Sequence, residues 1–338
     1  MKKAAKSTPV RENDLLSLSA ALRSRRPRML NPDKLARIVE TGSVEEAVRA
    51  AAEIGFPPIT AVKTDVIEDA LSSFRAETYD DVARCAAARP LLNIFRAKYD
   101  IHNVKVLVKS MSANEDSSRI LSRSGSVAPD ALTEAFITGE RNRIPRYLRQ
   151  AISAGVGALA RTSNPNLADT AIDRLYYEEI LIHAEKYGTP LIKKYVRLLI
   201  DCANLRIFVR SVRAERPAEF LASSLFGGGY IAPSVVAGLS RDGADLAAKY
   251  KPVPELARAS ELAAGILSGG RLTEFERECD NVVYRLAEST MYTPFGQDVV
   301  FEYLLALDWQ IVSLRMALTG LYAGIEPSVL AERLREYV

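Results

Sequence analysis

One polar motif recurs along the chain at a fixed spacing and holds the residues best suited to contact another molecule. It reads Asp-x-x-Asn-x-Lys/Arg and occurs at Asp100, Asn103, Lys105 and again at Asp201, Asn204, Arg206. A third copy keeps the offsets with Gln310, Ser313 and Arg315. Amide, carboxylate and cationic side chains can form hydrogen bonds and ion pairs with a neighbouring surface. We predict partner contacts at five positions: Asn103, Lys105, Asn204, Arg206 and Arg315.

The recurring residues also have a purely structural interpretation. Buried asparagines form hydrogen bonds between helices, and lysine or arginine side chains extend along an apolar surface to keep their charge in water. The two interpretations do not exclude each other. The sequence therefore leaves open whether the motif faces a partner or holds the chain's own helices together.

Other residues that could support catalysis, metal binding or phosphate binding are poorly placed. His102 and His183 have no second His or Cys at the helical spacing that a zinc site needs. The glycine run at residues 227–229 is followed by Tyr-Ile, where a phosphate-binding loop has Lys-Ser or Lys-Thr. We therefore predict no catalytic residue, no cofactor and no metal in this chain, and a structural turn at the glycine run.

The composition is that of a globular protein without a strong overall field. The 338 residues are 48% hydrophobic and 26% charged, with a formal net charge of +3. Such a balance does not favour nucleic acid as a partner. Cys85, Cys202 and Cys279 are odd in number and far apart in sequence, which favours a reducing compartment. We expect no membrane-spanning helix, since such a helix needs about 20 apolar residues.

Long amphipathic helices must position the motif residues. In the second copy the apolar residues alternate in spacing between four and three, along Leu191, Tyr195, Leu198, Cys202, Leu205, Val209 and Val212. The same seam recurs from Val300 onward and from Ile94 onward. This spacing places one apolar stripe along a helix, so each motif copy lies on a long helix with a buried face. Because strand-like alternation is scarce, we predict an all-α protein.

A proline at a helix start precedes each long helix and completes a repeated module. The prolines are Pro32, Pro129 and Pro233, and the basic motif residue follows them by 73, 77 and 82 residues. The second and third modules also share an acidic residue four positions before a tyrosine, in the pairs Asp173/Tyr177 and Asp280/Tyr284. We predict an N-terminal tail over residues 1–11 and three helical repeats over residues 12–125, 126–229 and 230–338.

These features together resemble the C subunits of the V/A-type rotary ATPases, a family related to the d subunit of the vacuolar ATPases. The likeness extends from residue 12 to residue 338. The segments that carry it are residues 99–107, 195–206, 228–231, 294–296, 302–305, 314–315 and 333–338. Each segment is a weak signal alone, and the combination is specific.

The resemblance implies an architecture, a function and partners. The architecture is three homologous helical modules, arranged with pseudo-threefold symmetry as a funnel-shaped socket. The function is that of a non-catalytic rotor component, peripheral to the cytoplasmic face of the membrane. Its partners would be central shaft subunits of the D and F type and the membrane proteolipid ring, which the socket would couple together. Association with the membrane would come only through these partners.

Two other classes of function stay open at the level of sequence. A soluble helical-repeat adaptor unrelated to ion transport would have the same modules but different partners. A hydrolase or ligand-binding protein would use Asp100, Asp201 or His102, and ATP hydrolysis or nucleotide binding by the purified chain would reveal it.

Overall fold

The computed structural model describes residues 11–113 and 119–337, and this part of the chain is built from helices and their connections. No β-strand occurs within those residues, so the predicted all-α class is confirmed. The predicted tail over residues 1–11 lies outside the described residues except for Arg11.

Sixteen α-helices follow one another in the described residues. The first five are α1 (Leu16–Arg25), α2 (Pro32–Glu40), α3 (Val44–Glu53), α4 (Thr64–Ala83) and α5 (Arg89–Ala113). The next five are α6 (Pro129–Thr138), α7 (Arg146–Thr162), α8 (Pro165–Tyr187), α9 (Pro190–Arg213) and α10 (Ala218–Ser224). The last six are α11 (Pro233–Ala237), α12 (Leu246–Tyr250), α13 (Ala257–Leu267), α14 (Leu272–Tyr284), α15 (Gln297–Tyr322) and α16 (Pro327–Arg333).

The helix starts follow the capping signals of the sequence. Asn31 accepts a hydrogen bond from the backbone N–H of Lys34 and thereby caps α2, with Pro32 in the first turn. A capping oxygen satisfies one of the N–H groups that a helix leaves free, and proline supplies the φ angle of the first position. The helices α6 and α11 begin at Pro129 and Pro233, so all three predicted prolines start helices.

The three predicted long helices are α5, α9 and α15, with 25, 24 and 26 residues. Their apolar seams are buried over most of their length, as Leu198, Cys202 and Leu205 on α9 show, whereas Met111, the last seam residue of α5, is 51% exposed. By length and composition alone α15 could cross a bilayer, but 72% of its apolar window is buried inside the protein. The apolar character of α15 is thus accounted for by its place in the core.

Each long helix packs against helices that follow it in the chain, and the last one packs against the first helices. The helix α5 contacts α6, α7 and α8, and α9 contacts α10, α11, α13 and α14. The helix α15 contacts α16 and then returns to α1, α2, α3 and α4. The chain is therefore closed on itself, while the funnel shape and its pseudo-threefold symmetry stay predictions.

The N-terminal halves of the long helices meet through three aromatic rings, one from each helix. The ring centroids of Phe95 and Tyr195 are 5.8 Å apart, those of Tyr195 and Phe301 are 5.2 Å apart, and those of Phe95 and Phe301 are 6.1 Å apart. These separations are in the range of favourable ring contacts. The three long helices are thus in contact with one another near their starts.

Two apolar cores hold the helices together. The smaller core joins the C-terminal half of α5 to α6, α7 and the first half of α8 through residues such as Val104, Ile152 and Ile172. The larger core contains residues of α1–α5, α9 and the helices after it. The smaller core combines residues from both sides of the predicted boundary at residue 125, so the packed units do not coincide with the sequence repeats. The repeat boundaries themselves stay a prediction.

Candidate functional site

The aspartate of the first motif copy binds the segment that leads into the next module. Asp100, on α5, accepts hydrogen bonds from the backbone N–H groups of Ser126 at 2.9 Å and Val127 at 3.2 Å. The hydroxyls of Ser126 and Tyr147 also donate hydrogen bonds to it, each at 2.7 Å. A carboxylate can accept several such bonds, and here they fix the chain just before helix α6.

The second motif copy repeats this contact. Asp201, on α9, accepts hydrogen bonds from the backbone N–H groups of Tyr230 at 2.8 Å and Ile231 at 3.1 Å. In both copies the two donors stand three and two positions before the proline that starts the next helix, Pro129 or Pro233. The repeat seen in the sequence is therefore a repeated contact between a long helix and the following module.

The motif asparagines hold the same two segments a few residues earlier. The side-chain amide of Asn103 donates to the carbonyl oxygen of Ser122 at 2.8 Å and accepts from its N–H at 2.7 Å. Asn204 makes the same pair of bonds with Phe226, both at 2.8 Å. Both asparagines have no exposed surface. Each side-chain amide therefore satisfies both the N–H and the C=O group of one buried residue, Ser122 or Phe226. Burying these groups without hydrogen-bond partners would cost free energy.

The third motif copy makes its contact with the start of the chain. The side-chain oxygen of Gln310 accepts a hydrogen bond at 3.3 Å from the backbone N–H of Leu30, two positions before Pro32. Ser313, at the position of the asparagines, is fully buried, and its hydroxyl has no partner among the described residues. This junction therefore keeps the pattern of the other two with fewer hydrogen bonds.

Other polar contacts fasten the start of the chain to its last third. The Arg26 guanidinium forms an ion pair with Glu302 at 2.6 Å, and the Tyr337 hydroxyl donates to the same carboxylate at 3.0 Å. Arg23 donates to the carbonyl oxygens of Thr290 and Thr293 at 3.0 and 2.6 Å. Arg23 and Arg26 are thus engaged in contacts within the chain.

The basic motif residues form ion pairs between modules. Each bonds an acidic residue on a helix of the following module: α8, α14 or α4. The pairs are Lys105–Asp173 at 2.5 Å, Arg206–Glu276 at 2.7 Å, Arg206–Asp280 at 2.6 Å and Arg315–Glu68 at 2.7 Å. Two of these partners, Asp173 and Asp280, are the recurring acidic residues of the Asp/Tyr pairs. The basic motif residues and the recurring acidic residues were therefore both visible in the sequence, but nothing in the sequence indicated that they form ion pairs with each other.

The five residues predicted to contact a partner do not converge on one point: Lys105, Arg206 and Arg315 join successive modules, whereas Asn103 and Asn204 each hold a loop at the end of their own module. Asn103 and Asn204 are enclosed, whereas the side chains of Lys105, Arg206 and Arg315 are 24, 21 and 37% exposed. The structural interpretation of the motif thus accounts for all five within the chain. Contact with a partner stays a prediction for each of them.

Glycine is needed where the aspartates approach the backbone. A Cβ atom on Gly125 would lie 2.4 Å from the Oδ1 atom of Asp100, and one on Gly229 would lie 2.2 Å from the Oδ1 atom of Asp201. A side chain at either position would displace the carboxylate from the N–H groups it binds. The glycine run at residues 227–229 thus belongs to a bound loop of the chain.

The environment of the aspartates alters their protonation. Burial raises the pKa of Asp201 to about 6, although the N–H groups of Tyr230 and Ile231 act in the opposite direction. Burial also raises the pKa of Asp100, against the opposing hydrogen bonds from Ser126 and Tyr147. Both shifts follow from enclosing a carboxylate away from water.

A charged contact that the repeat pattern did not predict joins α5, α14 and α15. Lys98 forms an ion pair with Asp308, and the Tyr284 hydroxyl donates to the same carboxylate at 3.2 Å. Burial alone would raise the pKa of Asp308, but the Lys98 ammonium outweighs it and lowers the pKa. The two charges occupy equivalent positions of the first and third motif copies, where the second has Leu199. Opposite charges at equivalent positions are the signal that could have revealed this contact.

The two histidines and two of the cysteines contact other residues of the chain. His102 lies 3.2 Å from the carbonyl oxygen of Ile120, and His183 lies 3.2 Å from Glu179. Cys202 and Cys279, distant in sequence, are buried together, and the neighbouring Cys279 thiol and burial raise the pKa of Cys202. Over residues 11–113 and 119–337 no group of three or more His, Cys, Asp or Glu is arranged to hold a metal ion.

Comparison with known proteins gives matches along nearly the whole chain. The model of a family described as ATP synthase (C/AC39) subunit matches residues 18–333. The chain is 22% identical to the C subunit of the A-type ATP synthase of Haloferax volcanii, over 93% of this chain and 95% of that protein. It is 19% identical to the C subunit of the V-type sodium ATPase of Enterococcus hirae, over 94% and 97%. It is 22% identical to the C subunit of the V-type ATP synthase of Thermus thermophilus, over 79% and 82%.

Proposed function

The chain belongs to the ATP synthase (C/AC39) subunit family, and from this premise we propose that it is a non-catalytic rotor component of a V/A-type ATPase. In this proposal it lies on the cytoplasmic face of the membrane. It receives the central shaft subunits, of the D and F type, on one side and the proteolipid ring on the other. Rotation of one partner then turns the other through the body of this chain.

The observation that best supports the proposal is the closed packing of the long helices. The helices α5 and α9 each bind the next module, and α15 binds the first helices. A part that transmits torque must resist shear between its modules, and a closed set of packed helices resists it better than an open row because no end is free. The hydrogen bonds of Asp100, Asp201 and Gln310 add a polar contact at each junction.

The proposal assigns no catalytic step to the buried carboxylates. Perturbed pKa values often mark catalytic groups, but structural networks produce them as well. The oxygens of Asp100 and Asp201 accept hydrogen bonds from the chain's own backbone, which gives both groups a structural role. We therefore propose that ATP hydrolysis takes place on other subunits of the complex.

Reconstitution of the complex with and without this chain tests the proposal. With the chain present, ATP hydrolysis should drive ion transport into vesicles that contain the proteolipid ring. Without it, the catalytic head should still hydrolyse ATP while ion transport is lost. Equal transport in both preparations would contradict a coupling role.

Purification of the native complex distinguishes the adaptor alternative. If the chain is a rotor component, affinity capture of the proteolipid ring or of the shaft subunits should recover it in an amount close to that of the shaft subunits. If it is a soluble adaptor unrelated to ion transport, neither capture should contain it.

A further inference from the structure

We propose that the cavity between α4, α5 and α15 is a binding site for a carboxylate group presented by a protein partner. The cavity has a volume of about 560 Å³. Its lining includes four cations and two carboxylates besides the ring of Tyr99: Arg75, Lys98, Arg119, Arg315, Glu68 and Asp69. None of these residues except Arg315 belongs to the set predicted from the sequence to contact a partner.

Arg75 is the central residue of the proposed site. It lies on α4 with only 4% of its surface exposed, and its guanidinium carbon is 4.1 Å from the ring centroid of Tyr99. Its Nε atom donates to the hydroxyl of Ser124 at 2.9 Å, and one terminal nitrogen lies 3.4 Å from the hydroxyl of Ser72. Arg75 forms no ion pair within the described residues, so this buried cation is held only by neutral partners.

Among the described residues, the charges around the cavity leave the buried Arg75 without an ion-pair partner: the carboxylate of Asp69 also lines the cavity, but it is exposed and forms no ion pair with Arg75. Arg75 and Lys98 both act on Asp308, but that carboxylate is already bonded to Lys98 and to the Tyr284 hydroxyl. Two cations therefore share one anion. Arg315 is paired with Glu68 at the same cavity and adds no excess charge. An enclosed cation without a counter-charge is unfavourable, and an anion that enters the cavity removes that cost.

A carboxylate fits this arrangement by its shape as well as its charge. The second terminal nitrogen of Arg75 makes no hydrogen bond to a described residue, so it can donate to an entering oxygen. The guanidinium lies over the Tyr99 ring, which restricts its movement, and its planar fork matches the two oxygens of a carboxylate. Arg119, exposed at the edge of the cavity, adds a cation where a partner would approach.

The identity of the partner rests on the proposed function, whereas the site itself does not. If the chain is a rotor component, the carboxylate belongs to an aspartate, glutamate or chain terminus of the shaft. The experiments therefore test the site first with small anions and then with the shaft subunits.

Small anions reveal whether the site exists. Thermal unfolding of the full chain is followed with succinate or inorganic phosphate, each against chloride at the same ionic strength. Succinate should raise the unfolding midpoint. Asp308→Asn, which leaves two cations without an anion, should increase this shift, and Arg75→Met should abolish it. A variant that is merely destabilised cannot give opposite changes in the anion-dependent shift.

Three results would count against the anion site. No succinate-dependent shift, an equal shift in Arg75→Met, or a shift with phosphate alone would overturn the proposal. Arg119→Ala, an exposed position, provides a variant that should fold normally and show a smaller shift than the unaltered chain.

Binding to the shaft subunits then tests the partner. We expect the Kd of the shaft to rise about tenfold in Arg119→Ala, the effect of one lost charged contact. An unchanged Kd in this variant would overturn the assignment of the carboxylate to the shaft. Failure of the unaltered chain to bind the shaft, with the succinate shift retained, would contradict the proposed function and leave the anion site supported.

Discussion

Asp201 joins the loop at residues 226–231 to α9 through a carboxylate that is only 1% exposed. Burial raises its pKa to about 6, well above the value of an unfolded chain. The folded state therefore binds a proton more tightly than the unfolded state does. Between these two pKa values stability falls as the pH rises, and the contribution is lost once the pH passes about 6.

Asp201→Asn removes this titration and isolates its effect from other groups. We expect the unaltered chain to gain roughly 1 kcal/mol relative to Asp201→Asn when the pH is lowered from about 7.5 to about 5. Urea unfolding of both proteins at the two pH values measures the difference. If the difference in unfolding free energy is the same at both pH values, Asp201 does not titrate in this range.

Arg206 connects α9 to α14 through two carboxylates, and its side chain is 21% exposed. We expect Arg206→Gln to lower the free energy of unfolding by about 2 kcal/mol, because charged hydrogen bonds in an enclosed site are lost. Arg210 is a matched control, since it pairs with the same Glu276 but is 65% exposed. Arg210→Gln should cost less than about 1 kcal/mol. Similar losses in both variants would show that the enclosure of Arg206 does not matter.

The loop before α11 depends on Gly229 more than on Gly227. A Cβ atom at Gly229 would meet the Asp201 carboxylate, whereas one at Gly227 would have no atom within 4 Å. Gly229→Ala should therefore destabilise the protein by about 1–3 kcal/mol, and Gly227→Ala should be nearly neutral. Chemical denaturation of the two variants measures this. Equal losses of stability in the two variants would mean that the Asp201 carboxylate can shift away from residue 229 without a cost in free energy.

At the scale of helices, the sequence predicts where elements begin and which face is buried, but not which elements meet. The prolines at 32, 129 and 233 and the apolar seams depend on local chemistry, and the structure has them as predicted. The ion pair of Lys105 with Asp173 and that of Lys98 with Asp308 depend on which modules are neighbours. Opposite charges at equivalent repeat positions could have indicated the Lys98–Asp308 pair, but spacing along the chain does not say which modules are neighbours, since that is set by tertiary packing.

At the scale of the whole molecule, the two apolar cores should open independently. Ile172 lies in the smaller core and Ile67 in the larger one, and both are fully buried. Replacing either by alanine should cost about 2–5 kcal/mol, because a cavity is left behind. Ile172→Ala should speed amide hydrogen exchange in α6 and α7, and Ile67→Ala should do so in α2 and α4. Faster exchange of the same helices in both variants would indicate a single cooperative unit.

The junction between the ends of the chain is the part of the site that the sequence indicated least. Gln310 replaces the aspartates and Ser313 replaces the asparagines, so the third motif copy looks degenerate. Its contact with Leu30 nevertheless stands at the same place before a helix-starting proline. Glutamine can therefore take the place of the aspartates, because the requirement at that position is an acceptor for a backbone N–H rather than a particular side chain.

Closure through α15 has a consequence for how the protein is made. The faces of α2, α3 and α4 that pack on α15 belong to the first 83 residues, while α15 ends at Tyr322. At about 5–20 residues per second, a ribosome needs on the order of 10–50 s to pass from one to the other. During that time the apolar faces of α2, α3 and α4 that will pack on α15 have no packing partner. Chaperones that bind nascent chains should therefore engage the N-terminal helices and release them only when the last long helix has emerged.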